Sequence, residues 1–227
     1  MIPRDLIEKI AGGLKVEEKS LVEKDLYLQG LLIELSKSSF FAENFAFKGG
    51  TCLTKAFFGH YRFSEDLDFT WMNQKEFEGK TENQIRKMLT EKISAVMKIL
   101  AGAAGKLEMD FKADKTSERF VQLGAGGRFA TFKLWYKPAN NEPEAFIKIQ
   151  LNFVERILFK PRKRALKAIA AGQKKELELE YPQYAALGAE TPVLYAYALE
   201  EIAAEKIRAL FTRRGFKTRD LVDLYVL

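Results

Sequence analysis

The stretch from Phe47 to Trp71, FKGGTCLTKAFFGHYRFSEDLDFTW, constrains this chain more than any other. A short apolar strand is predicted over Phe45 to Lys48, ending at Gly49-Gly50. A helix is predicted over 51–58, with Thr51 a good N-cap type. A second strand is predicted over Asp66 to Trp71, where polar and apolar residues alternate. Two glycines let backbone approach a ligand closely. A helix N-terminus adds free N–H groups and partial positive charge, which together suit a phosphate, and the Thr51 hydroxyl could join them. On the adjoining strand, Asp66 and Asp68 point the same way, with Cα atoms about 6.5–7 Å apart. Leu67 and Phe69 point oppositely, into the core. Both carboxylates could reach one pair of divalent ions about 3.5–4 Å apart, an arrangement suited to in-line phosphoryl displacement. Magnesium fits, since it takes oxygen ligands and few protein groups. Alone, a D-x-D on a strand is as a rule surface charge, and a Gly-Gly turn just a turn. The specificity lies in their combination with Arg62 and Ser64.

The rest of the composition narrows the chemistry. The chain has 227 residues, enough for one generous domain or one domain and the start of a second. Cys52 and His60 are the single cysteine and the single histidine. An internal disulfide and a Cys/His zinc site are therefore excluded. Ser–His–Asp chemistry would rest on His60 without a nucleophile elbow. Carboxylates, lysines, arginines and a bound metal remain. No apolar run is long enough to span a bilayer, and the start lacks a secretory signal, so a cytoplasmic protein without membrane contact is expected. The net charge of +6 is clustered. One patch is Arg156, Lys160, Arg162, Lys163, Arg164 and Lys167; the other is Lys206, Arg208, Arg213, Arg214, Lys217 and Arg219. Such patches suit polyphosphates, nucleotides or nucleic acid, or are simply solvated faces.

An amphipathic helix is predicted over 17–38, from the spacing of Leu21, Leu28, Leu32 and Leu35. Another is predicted over 82–101. Strands are predicted over 107–112, 118–123, 129–136 and 145–153, with turns at Gly124 to Gly127 and Pro138 to Pro143. From Tyr195 to Thr212 the pattern is helical, and a further helix begins near Lys217. The expected division is an α/β part over 1–165 and a helical C-terminal section over 190–227, with a soft boundary in 160–190. The chain stops at Leu227 within an apolar helical run, so it either continues or docks that end on a partner or on its own core. Phe40, Phe41, Phe45, Phe57 and Phe58 are expected in the core, Cys52 in packing and His60 at the surface.

The GGTCL turn and the RFSEDLDF strand resemble the AbiEii/AbiGii toxin family of the DNA polymerase β-like nucleotidyltransferase superfamily. VEKDLYLQGLL upstream and EKIRALFTRRGFKTRDLVDLY downstream are similar to that family's other blocks, in its order. The resemblance implies an α+β nucleotidyltransferase fold, a mixed sheet flanked by helices and followed by a helical section. It implies transfer of a nucleoside monophosphate from an NTP to RNA (tRNA in some members) or to a protein hydroxyl, with Mg2+ or Mn2+. It also implies a paired antitoxin and a role in growth arrest or phage defence. By the resemblance, Asp66 and Asp68 are metal ligands and, with Lys206, catalytic. Gly49, Gly50, Thr51, Arg62, Ser64, Lys206, Asp220 and Asp223 would bind nucleotide.

Several residues keep two readings. Arg62 could hold phosphate or pair with Glu65 or with an Asp of the motif. Lys206 and Arg213, seven apart on one helix face, could face the triphosphate or form surface pairs such as one with Glu201. Arg219 and Asp223, four apart, could pair with each other, while Asp220 or Asp223 could meet ribose, base or Lys206. The superfamily's third carboxylate is expected near Gln150, on the polar face Lys148, Gln150 and Asn152 of the 145–153 strand. An amide there brings no charge, and Asp110 is the alternative acid. Catalysis therefore competes with a catalytically weakened nucleotide- or RNA-binding module that keeps the fold. A third reading is a toxin acting through its apolar C-terminal end.

Overall fold

In the computed structural model the described residues are 1–140, 142–212 and 217–227. The chain runs α1 (Arg4–Leu14), α2 (Lys19–Lys37), α3 (Ser39–Asn44), β1 (Phe45–Lys48) and α4 (Gly49–Cys52). A π-helical turn, Leu53–Phe58, extends α4, and β2 (Asp66–Trp71) follows. Then come α5 (Glu82–Lys106), β3 (Val121–Gly124), β4 (Phe129–Tyr136), β5 (Ala145–Asn152) and β6 (Arg162–Ala165). The last elements are α6 (Lys174–Glu180), α7 (Ala185–Ala189), β7 (Val193–Ala196), α8 (Leu199–Thr212) and α9 (Thr218–Val226). This is an α+β fold built on one seven-stranded sheet of order β3-β4-β5-β2-β1-β7-β6. β2 with β5 and β1 with β7 are parallel, and the other pairs are antiparallel. No helix of the described residues is long and apolar enough to cross a membrane.

Alternation builds the sheet as its residues dictate. Ile147, Ile149 and Leu151 of β5 are fully buried. Lys148, Gln150 and Asn152 therefore face the other way, opposite Asp66, Asp68 and Thr70 of β2. Phe41, Phe45, Phe47 and Phe69 fill the core, with Phe41 stacked on Phe45 at 4.7 Å and Phe47 on Phe69 at 5.0 Å. The helix α2 is enclosed from Asp25 to Ile33. Its two polar members, Asp25 and Gln29, accept hydrogen bonds from the buried Lys55 ammonium at 2.8 and 3.3 Å. A Thr81–Gln84 capping box starts α5.

The structure differs from the sequence expectations in several elements. The helical turn is entered at Gly49, not Thr51, and Gly49 itself turns the chain in the left-handed region, at φ +77°, which glycine adopts freely. The predicted 82–101 helix continues to Lys106, with Ala103 and Ala104 buried. The helix ends at Lys106, directly before the predicted 107–112 strand; Leu107 and Glu108 turn the chain, and only an isolated bridge, Asp110 to Trp135, forms there. The first residues of the predicted 195–212 helix belong to β7, which alternates exposed and covered residues between β1 and β6. Thus β6 and β7, from the 160–196 stretch, lie in the same sheet as β1. Phe58 is exposed rather than core, and His60 is half-buried, 3.7 Å from Asp25.

Candidate functional site

The antiparallel register sets Lys48, the last residue of β1, opposite Asp68 of β2. The glycine turn that follows Lys48 therefore lies against the acidic strand. A Cβ on Gly49 would come 2.5 Å from Asp68 Oδ2, and one on Gly50 would come 2.2 Å from Arg62 Nη2. Glycine is needed at both positions for the carboxylate and the guanidinium to sit where they do. Gly49→Ala adds positive-φ strain to that clash, so we expect a stability loss of about 1–3 kcal/mol and weaker Mn2+ binding. Thermal melting and titration calorimetry check this; wild-type values for both would mean that Asp68 moves aside freely.

Asp66 and Asp68 point into one cleft. Its larger part, about 470 Å³, is lined by Gly49, Gly50, Asp68, Gln150 and Lys206 among others. An adjoining part of about 190 Å³ is lined by Arg62, Ser64, Asp66, Lys148, Lys217 and Arg219, and shares Gly50, Asp68, Gln150, Lys206 and Asp220 with the first. Asp66 pairs with Lys148 at 3.1 Å. Burial, and next the charge of Asp66, push the Asp68 carboxyl up to about 6, against the pull of Lys48, Lys148 and Lys206. Two acids crowded in this way relieve their repulsion by sharing a cation. An apolar-walled cavity of about 340 Å³ beside Leu26, Tyr27 and Leu187 lies elsewhere and holds none of these acids.

The other predicted residues divide. Thr51 is buried, and its hydroxyl donates to the Asp66 carbonyl while also bonding Ser64 Oγ at 2.8 Å. One proton serves one acceptor, so Ser64 is the donor of the second bond. These two hydroxyls tie the turn to β2, and the Thr51 side chain is turned away from the cleft. Arg62 grips Asp223 through Nε at 2.6 Å and Nη2 at 2.7 Å, not Glu65. Lys206 reaches Asp220 at 2.7 Å and Asp223 at 2.8 Å, rather than Glu201. Arg219 lies nearest Glu65, at 3.8 Å, instead of pairing with Asp223. Arg213 lies outside the described residues.

Tyr61 also donates to Asp223, at 2.7 Å. Burial alone would raise the Asp223 carboxyl, but hydrogen bonds from Arg62, Lys206 and Tyr61 outweigh it and hold it down at about 2. A depressed carboxyl contributes stability that is complete above its unfolded value of about 3.9 and is lost as pH falls through about 2. Denaturant unfolding between these limits should therefore show a pH slope that Asp223→Asn lacks. Equal slopes would mean that this group does not carry it.

Gln150 stands opposite Asp68 in the sheet register, so the amide does occupy the facing position on β5. Asp110 is not a substitute: it pairs with Arg119 at 3.2 Å, bridges Trp135 and does not line the cleft. Among the described residues no three His, Cys, Asp or Glu side chains converge as ready metal ligands.

The cleft holds a second charged group that the sequence did not signal. Lys48 lies between Glu155 at 2.6 Å and Glu205 at 2.7 Å. Glu155 Oε2 also accepts from Thr70 at 2.8 Å and from Asn152 and Tyr197 at 3.2 Å. Burial opposes the charge on Lys48, but the two glutamates outweigh it and hold the ammonium protonated. Glu155 is lowered by Lys48 against burial, while burial leaves Glu205 raised. Only a lysine next to the glycine turn was visible locally; the glutamates lie 107 and 157 residues away.

With sheet, turn and acids in place, comparison with known proteins is decisive at the level of family. The sequence profile of the nucleotidyl transferase AbiEii toxin, of type IV toxin–antitoxin systems, matches residues 31–227. The chain belongs to this family. Among curated proteins none matches it. Two solved structures from Helicobacter pylori resemble this AbiEii chain at 17% identity over 92% of its length. One is JHP933, with a TM-score of 0.47 and 66% of that chain covered. The other, described as a candidate nucleotidyltransferase, has a TM-score of 0.48 and 68% covered. The AbiEii chain thus spans about two thirds of the length of these relatives.

Proposed function

We propose that this chain transfers a nucleoside monophosphate from an NTP to a hydroxyl acceptor, RNA or protein, as the toxin of a toxin–antitoxin pair. The observation that carries the reading is the placement of Asp66 and Asp68 on one strand face against the Gly49-Gly50 turn. Asp66 and Asp68, with the amide oxygen of Gln150, form an all-oxygen donor set fit for Mg2+ or Mn2+. Bound there, such an ion would neutralise phosphate charge and polarise the phosphoryl group. Gly49, Gly50 and the Thr51 main chain would face the phosphates, and Ser64 would hold the turn on β2. Lys206 would neutralise the leaving pyrophosphate, with Asp220 and Asp223 fixing its ammonium. Arg62, clamped by Asp223, would close the phosphate side of the site.

A binding module without turnover is the second reading, favoured by the amide at Gln150. Incubation with Mg2+, each labelled NTP and total RNA decides between them. Label transfer by wild type that Asp66→Ala abolishes while remaining folded is the expected result. Absence of transfer by wild type with every nucleotide, RNA and protein acceptor offered would remove the enzymatic reading.

A further inference from the structure

We infer that the β6 edge of the sheet is a landing surface for a single-stranded polynucleotide, which it delivers to the cleft. The inference rests on the transferase reading for its purpose, but not for its observations. Between Glu155 and Glu176 the chain carries no acid, while Arg156, Lys160, Arg162, Lys163, Arg164 and Lys167 are all exposed. None of these six makes an ion pair among the described residues, although Lys24, Lys92 and Arg119 elsewhere do. A merely solvated face interleaves both signs; one of a single sign pays in self-repulsion and favours a polyanion.

Aromatic surface lies among these charges. Arg164 covers the Phe57 ring at 5.0 Å, and Lys163 lies 5.5 Å from the Tyr195 ring. Phe159 is 44% exposed although its backbone is held. The buried Glu201 carboxylate accepts the N–H groups of both Leu158 and Phe159 at 2.9 Å. The ring is thus presented outward by a fixed loop. Phe57, Phe159, Lys160, Arg162, Arg164 and Tyr197 surround a hollow of about 330 Å³, with Glu200 at its rim. Flat rings between cations take stacked bases and their phosphates together. An acidic peptide would use the charges and leave the rings idle.

Register connects this surface to the cleft. Phe47 of β1 pairs with Ala196 of β7, and Ala196 pairs with Arg162 of β6. These residues form one row across the sheet, so Arg162 backbone lies two strands, about 10 Å, from the residue preceding Lys48. Tyr197 lines the hollow and also touches the Lys48–Glu155 group, at 5.5 Å from Lys48 Nζ. Arg162 and Arg164 point to the face opposite Asp68, so a polynucleotide resting on them would cross the sheet edge at Tyr197 to place its end beside Gly49.

Fluorescence anisotropy with labelled single-stranded RNA, single-stranded DNA, duplex and a Glu-rich peptide, across a range of KCl, tests this. Wild type should bind the single strands in preference to duplex and peptide. The RNA and DNA arms show whether the sugar matters. Arg162→Ala/Arg164→Ala should weaken binding at least about tenfold and make the log–log salt slope shallower by about 1.4, two single-strand phosphate contacts. Phe159→Ala should cost about tenfold with the salt slope unchanged. Thermal melting and nucleotide binding should stay at wild-type values in all variants. Unchanged single-strand affinity in these variants overturns the proposal, as does tighter binding of the peptide or the duplex. If the strand binds this face but wild type transfers no label, the surface stands and the transferase reading fails. If label is transferred but the variants bind as wild type does, the reverse holds.

Discussion

Asp68→Asn is expected to lower nucleotidyl transfer about a thousandfold while leaving the fold in place. The asparagine keeps the shape and the contact with Gly49, but not the charge that a divalent cation requires. The loss corresponds to roughly 4 kcal/mol of transition-state stabilisation, within the several kcal/mol that a positioned metal supplies. Because Asp68 sits half-buried among Asp66, Lys48, Lys148 and Lys206, removing its charge changes the balance of the whole cleft. Direct Mn2+ titration should show the same loss without any turnover being measured. Full activity in Asp68→Asn would rule out this acid as a ligand. Retained Mn2+ affinity with lost activity would assign it a different role.

The second large effect concerns stability. Asp223 is fully buried and receives Arg62, Lys206 and Tyr61. Asp223→Ala leaves two cations facing each other, each with only 14% of its side chain exposed. Removing one partner of such a group costs about 3–5 kcal/mol. For a chain of this size that is a fall in melting temperature of roughly 10 °C. The change should also reduce turnover, since Asp223 and Asp220 together hold Lys206 in the cleft. A melting temperature near that of wild type would show that Arg62 and Lys206 find water or other partners.

These two residues also separate what was legible locally from what was not. Asp66 and Asp68 face one way for a reason internal to β2, the period of a strand. The same period separates Ile147, Ile149 and Leu151 from Lys148, Gln150 and Asn152, so Gln150 was readable as a polar-face residue; that it matters came from the family resemblance, and that it faces Asp68 from the register of the sheet. The Gly-Gly turn was readable because only glycine allows such close approach. Asp223, by contrast, is 161 residues from Arg62, and a motif with acids at both 220 and 223 does not say which cation each will meet.

Sequence alone determined the acidic strand, the glycine turn and the alternating faces of the central sheet, since each follows from backbone sterics within a few residues. Only tertiary structure decided that β7 slots between β1 and β6, that Glu155 and Glu205 share Lys48, and that Thr51 turns inward to Asp66 and Ser64. It also withheld a strand from 107–112, where a turn follows α5 and only the Asp110–Trp135 bridge forms. Such outcomes depend on which distant surfaces are buried together, and a strand propensity or a lone charge carries no information about its partner.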